Sequence, residues 1–376
     1  MARCATLLSL IGATCSSTEN VEFATRARSP SWDNPVLHSL FCVTLLTQRQ
    51  YERDLLALQQ AMNIGLFKCD EFQIWSNVSA GILFPGKKEE EASIRISLLN
   101  RSLDTTRGGA GGQVAANTRI FQELWRRIFQ EKRFLRHQWT IKLDVDAVFM
   151  PDRLRAMFRE RCPGRFDCRS VFFRQNYTYL PPWTLVKYIN SNLLNDVAAM
   201  FGPLEVMHRE ALIFLCGADL CGRDRFIGAR GIASRSEGLR RCAWEMDHRQ
   251  YYSQSVKQVK NFWGDDSDPS INVEDVFLDR CLQRLNAWPL VENRLLYDPQ
   301  FGSYPPEDCA LGFVAYHPFK DVLGHQTCLL HATAHARNVS SDQPFHEELH
   351  LLVMRRATEA PLDSEQNILR AVLLFY

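Results

Sequence analysis

Trp139, Ile141, Leu143 and Val145 alternate with Thr140, Lys142 and Asp144, a period of two that predicts a buried strand. Pro151 and Asp152 follow it and suit the first turn of a helix. Ser39–Leu46 (SLFCVTLL) is a continuous apolar run of strand length, as a central parallel strand requires. Arg49–Ile64 places Tyr51, Leu55, Leu58 and Met62 at helical spacing, and Phe67–Trp75 returns to strand character. The three segments predict a β-α-β unit with a right-handed crossover. Ala116–Gln130 has an amphipathic helical pattern. Ser170–Gln175 and Met200–Met207 have strand patterns, the latter followed by a short helix from His208. In Asn272–Leu285, Val276, Phe277, Cys281 and Leu285 share one helical face. Gly312–Tyr316 is a further short strand.

Alternating strands and helices predict an α/β fold, a mostly parallel central sheet flanked by helices. Strands 39–46, 67–76 and 139–146 are expected as neighbours in one mixed sheet. Ligands of such sheets bind beyond the carboxyl ends of the strands, where Asp144 and Asp146 stand. Residues 1–36 are expected as leader and linker, 37–335 as one domain, and 336–376 as a helical tail. The KKEEE and GGAGG runs make 85–113 a flexible loop; no strand precedes Gly108–Gly112 at dinucleotide-fingerprint spacing.

Of the 376 residues, 46% are hydrophobic and 23% charged, enough apolar mass for a large core. A net charge of +1 gives nucleic acid or an anionic membrane nothing to attract. The N-terminal run CATLLSLIGATC is too short to span a bilayer. Membrane association is therefore expected only through an anchor that is missing or cryptic here. The twelve cysteines contain no CxxC pair. They are either buried thiols or disulfides of the secretory pathway, in the Golgi lumen or outside the cell. In the second case Cys42–Cys69 and Cys309–Cys328 are the expected pairs, and Cys162 lies close to Cys168 in sequence. Sequons at Asn77, Asn100, Asn176 and Asn338 fit a glycoprotein.

Asp144 and Asp146 sit two residues apart at a strand end, so alternation puts both on one face. Two converging carboxylates repel unless a cation lies between them, and oxygen ligands suit Mn²⁺ or Mg²⁺. A solvated loop is the plain alternative. Glu274 and Asp275 open the helix near Asn272. Capping, with Asn272 as N-cap and Asp275 three residues on, and catalysis are both open readings.

KLDVDAVFMPDRL resembles the K-x-D-D-D-x-F-x-x-x-x-x-L strand of GT-A-fold glycosyltransferases. EDVFLDRCLQRL resembles the E-D-V-[YF]-x-G-x-C-L helix of the family 31 group, the β1,3-galactosyltransferases, N-acetylglucosaminyltransferases and Fringe enzymes. The resemblance spans roughly residues 38–335 and rests on these two motifs. It implies a GT-A-like nucleotide-sugar-binding fold and a metal-dependent, inverting transfer from a UDP-sugar to a hydroxyl of a glycan or glycoconjugate. It makes Asp146 the metal-binding aspartate and Asp144 the aspartate that contacts ribose or metal-bound water. Lys142 is the lysine of the donor-binding strand, Asp275 the base, and Glu274 its partner in the motif. Val145 stands where the family has its middle aspartate and Asp279 where it has glycine. Phe201-Gly202-Pro203 occupies the region of the family's glycine-rich acceptor strand.

The resemblance also implies a third metal ligand, a histidine. His317, after a short strand, is preferred to His331 and His335; Cys328, His331 and His335 could alternatively form a zinc cluster. Asp265 and Asp266 are rival acids in a polar loop, with Trp263 as an acceptor-stacking candidate. The alternative to an enzyme is a non-catalytic relative that keeps the fold to bind sugars or partners.

Overall fold

The computed structural model describes residues 35–84, 94–108, 114–163, 171–176, 198–222, 237–248, 273–285, 287–292, 294–298 and 305–338. The strands are β1 (Val36–Leu45), β2 (Glu71–Ser76), β3 (Ile96–Leu98), β4 (Thr106–Gly108), β5 (Val114–Ala116), β6 (His137–Leu143), β7 (Val148–Phe149), β8 (Val171–Asn176), β9 (Ala198–Ala199), β10 (Leu204–His208), β11 (Trp288–Val291), β12 (Leu296–Tyr297) and β13 (Ala315–Tyr316). The helices are α1 (Gln50–Met62), α2 (Ala80–Leu83), α3 (Thr118–Glu131), α4 (Pro151–Arg161), α5 (Arg209–Cys221), α6 (Gly238–Asp247), α7 (Glu274–Arg284) and α8 (Val322–Asn338).

The main sheet runs β11-β8-β10-β6-β1-β2-β3, with β9 added to β8. It is mixed and mostly parallel, as expected. β6, β1, β2 and β3 are parallel, β8 and β11 are parallel, and β10 runs antiparallel to both its neighbours. β6 lies inside the sheet beside β1, and β1 beside β2.

Helices cover both faces, which explains why β1 and β6 are buried throughout their middle. In β1, Phe41 and Val43 enter one core with Trp125, Leu212 and Phe277, while Leu40 and Cys42 enter the other with Ile141, Leu154 and Phe158. In β6, Trp139, Ile141 and Leu143 join the second core. Alternation sends Lys142 to the opposite face, where its ammonium lies 4.5 Å from the Phe121 ring centroid.

Several expected boundaries move. β2 starts at Glu71, because Gly65–Lys68 forms a 3₁₀ turn with Gly65 at φ +54°. The expected loop 85–113 contains β3, which adds to β2 while Ile94 and Leu99 beside it are buried, and β4, which pairs with β5. The helix expected from Ala116 starts at Thr118, since Val114–Ala116 belongs to that pair. The short helix expected from His208 runs thirteen residues, broken at Gly217. α8 extends through the boundary placed at residue 335. α7 begins at Glu274 after Val273, and the Glu274 N–H donates to Asn117 Oδ1 (2.9 Å), a cap supplied from another segment. Asn272 lies outside the described residues.

Both expected disulfides, Cys42–Cys69 and Cys309–Cys328, are formed, and Cys216–Cys221 and Cys242–Cys281 join them. Cys162 is also disulfide-bonded; Cys168 lies outside the described residues. Four disulfides among the described residues point to an oxidising secretory or extracellular environment. Among those residues no helix is long and apolar enough to cross a membrane.

Candidate functional site

β6 ends at Leu143, and the chain turns through Asp144–Ala147, with the Ala147 N–H on Asp144 O (3.1 Å). β7 follows at once and pairs antiparallel with β13, Phe149 opposite Ala315 and Val148 opposite Tyr316. His317 is the next residue after β13. The Phe319 N–H donates to Asp146 O (2.9 Å) and closes the approach. Arg153 of α4 secures the same segment from behind, donating to Phe313 O (2.6 Å) and to the Tyr316 hydroxyl (3.2 Å).

One ligand atom each from Asp144, Asp146 and His317 therefore lies within 4.8 Å of the others. His317 Nε2 stands 3.4 Å from Asp146 Oδ1, and its Nδ1 stands 3.0 Å from Asp298 Oδ2. Burial alone would lower the His317 pKa, but Asp146 and Asp298 raise it to about 10. Burial pushes the Asp146 carboxyl up, and His317 with Lys320 outweighs it and holds it below the ordinary value. A proton on His317 thus compensates the carboxylates here. A divalent cation would take the place of that proton, since two carboxylates and a neutral, oriented imidazole form an O/O/N set that can hold one.

His317 is the histidine that joins the aspartates. His331 is half-buried on α8. Cys328 is bonded to Cys309, which removes it from the alternative zinc set.

The acid side is joined to this site through Lys142, which is only 2% exposed. Its ammonium donates to Gly202 O (2.6 Å), and lies 3.0 Å from Asp144 Oδ1 and 3.4 Å from Glu274 Oε2. Desolvation opposes its charge, but Asp144, Glu274 and Glu205 keep it protonated well beyond the usual range. Lys142 thus holds Asp144 in place, with its own donors already engaged.

The Phe201-Gly202-Pro203 segment is a turn before β10 rather than a glycine-rich strand. Pro203 O accepts from the Asp144 N–H (3.1 Å), and the Gly202 N–H donates to Asp275 Oδ2 (3.0 Å). One turn therefore touches both sequence motifs. Asp275 Oδ1 also accepts from the Val276 N–H (2.7 Å). Burial and the charge of Glu274 raise the Asp275 pKa to about 6 against these two donors. Glu274 is 2% exposed and faces Lys142.

Sequence patterns assign no site role to Asp298, Glu205, His325, Arg49 or Tyr51. His325 of α8 is buried near Asp146, and burial lowers its pKa to about 4, so it is neutral. Arg49 donates to the Tyr51 hydroxyl (3.3 Å), and both feel the charge of Asp146. Trp263, Asp265 and Asp266 lie outside the described residues. No protein-family model matches the chain, and no curated protein matches it.

Proposed function

We propose that the chain is a metal-dependent inverting glycosyltransferase of GT-A type, moving a sugar from a UDP-sugar to a hydroxyl of a glycan or glycoconjugate in the Golgi lumen or outside the cell. The observation that carries this reading is the convergence of Asp144, Asp146 and His317 at the carboxyl edge of the sheet, beside a helix start that presents Asp275. Asp144, Asp146 and His317 would hold Mn²⁺ or Mg²⁺, which supplies charge neutralisation for a diphosphate leaving group. Asp275 accepts the proton of the acceptor hydroxyl, and its pKa of about 6 leaves it ionised at neutral pH. One base and one displacement invert the anomeric centre, the logic shared with inverting glycosidases. Lys142 and Glu274 fix the spacing between the two halves.

The test is a panel of UDP-sugars assayed for Mn²⁺-dependent UDP release. Asp146→Asn should abolish metal-dependent nucleotide binding, and Glu274→Gln should have a milder effect than Asp275→Asn.

A second reading, a non-catalytic sugar-binding or interaction domain, has its own support. Each Asp275 oxygen already accepts a backbone N–H, as a purely capping acid would, and Val145 replaces the aspartate of the resembled motif. Binding of UDP with Mn²⁺ but no UDP release with any donor would favour it.

A further inference from the structure

Glu205 is a carboxyl group that the site described above uses only through its charge effect on Lys142. It lies on β10 directly opposite Lys142 of β6, and it is 0% exposed. Its Oε1 is 3.8 Å from the Lys142 ammonium, too far for a hydrogen bond, because Gly202, Asp144 and Glu274 stand closer. Among the described residues no N–H or O–H of another side chain or of the backbone donates to either Glu205 oxygen or to Glu274 Oε1, and the two carboxyl groups lie against each other. Among the described residues, the charged groups facing Glu205 are Lys142 on β6 and Glu274 and Asp275 on α7. One ammonium thus serves Asp144, Glu205, Glu274 and Asp275.

A fully buried carboxylate without a donor is among the costliest groups a fold can hold, and such a group neutralises instead. A protonated carboxyl brings its own O–H donor. The acceptor within its hydrogen-bonding reach is the Glu274 carboxylate.

We infer that Glu205 is a neutral carboxylic acid at working pH, a positioning residue that shares its proton with Glu274 and so keeps Glu274 on Lys142 beside the Asp275 base. The pair then carries one negative charge matched to one ammonium. A second charge would pull Lys142 away from Asp144 and push Asp275 further toward its neutral form. The catalytic consequence rests on the transferase reading; the shared proton does not.

The experiment therefore starts without activity. In protein labelled with ¹³C-carboxyl glutamate, the infrared spectrum at pH 7.5 should contain an isotope-shifted band of a protonated carboxylic acid. The band should vanish in Glu205→Gln and survive in Glu52→Gln, which removes another buried glutamate whose pKa burial raises. No band in the wild type, persistence in Glu205→Gln, or loss in Glu52→Gln overturns the inference. Glu205→Gln should also gain on the wild type in unfolding experiments as pH rises above the ordinary glutamate value. The folded wild type there holds a proton that the unfolded chain releases, so the ratio of the two unfolding constants changes by up to about tenfold per pH unit. A pH-independent ratio overturns it. In the transfer assay, Glu205→Gln should leave the acid limb of the rate profile in place, since one neutral group replaces another. A downward displacement of that limb shows that Glu205 carried charge. A chain that releases no UDP leaves the infrared and unfolding results standing, so the two readings fail separately.

Discussion

The Nδ1 of His317 lies 3.0 Å from Oδ2 of Asp298, and that bond turns Nε2 toward Asp146. Asp298 follows β12, which pairs in parallel with β13, so two strands of two residues each put the acid and the histidine in register. Asp298→Asn removes the charge while keeping the side-chain size. Mn²⁺ affinity, read by calorimetry or by the metal-induced rise in melting temperature, should fall about 10–100-fold. An unchanged affinity would show that His317 needs no orienting partner.

The proposed base predicts a pH dependence with a defined sign. Burial and Glu274 raise the Asp275 pKa to about 6, so its base form is lost as pH falls through that value. Transfer should decline about tenfold per pH unit below it. Asp275→Asn keeps the size and an acceptor for Gly202 or Val276, and should lower turnover about 10²–10⁴-fold with donor binding intact. Wild-type turnover in Asp275→Asn would move the base elsewhere.

Lys142 offers a stability measurement that requires no substrate. Removing it leaves the negative charge of the buried Glu274 and Glu205 pair without its cation. Lys142→Met should destabilise the fold by about 3–5 kcal/mol in denaturant unfolding. A loss below about 1 kcal/mol would show that the cluster reorganises around the vacancy.

The sequons are not equivalent. Asn100, Arg101 and Ser102 are all exposed in a bend after β3, whereas Asn77 Oδ1 is buried. Glycopeptide mass spectrometry of protein secreted from eukaryotic cells should find glycan on Asn100 and none on Asn77. Glycan on Asn77 with Asn100 bare would contradict this geometry.

What was legible in the chain follows from the range of each signal. The period-two pattern of Trp139–Leu143 and the Pro151 start are local, and both stand in the structure as β6 and α4. The pair Cys42–Cys69 follows from the order of elements in the β-α-β opening, and the further expected pair Cys309–Cys328 is also formed. His317 could be preferred because a short strand precedes it. Asp298 could not, because β12 and β13 are too short to show any period. Glu205 interrupts an otherwise apolar LEVM strand, and only the register against Lys142 gives it meaning. The cap of α7 was misplaced for the same reason, since its partner Asn117 is 157 residues away in sequence. Resemblance to glycosyltransferases directed attention to Asp275, but the Gly202 contact that ties it to Lys142 is tertiary.

The Cys309–Cys328 bond joins residues nineteen apart, and His317, Lys320 and His325 all lie inside the ring it closes. A protease cut between His317 and His325 would therefore leave the two fragments as one covalent molecule. His317 would stay attached through β13 to Cys309, and from there through sulfur to α8. The imidazole that faces Asp146 is thus secured by a bond that survives a broken backbone, but not a reducing solvent.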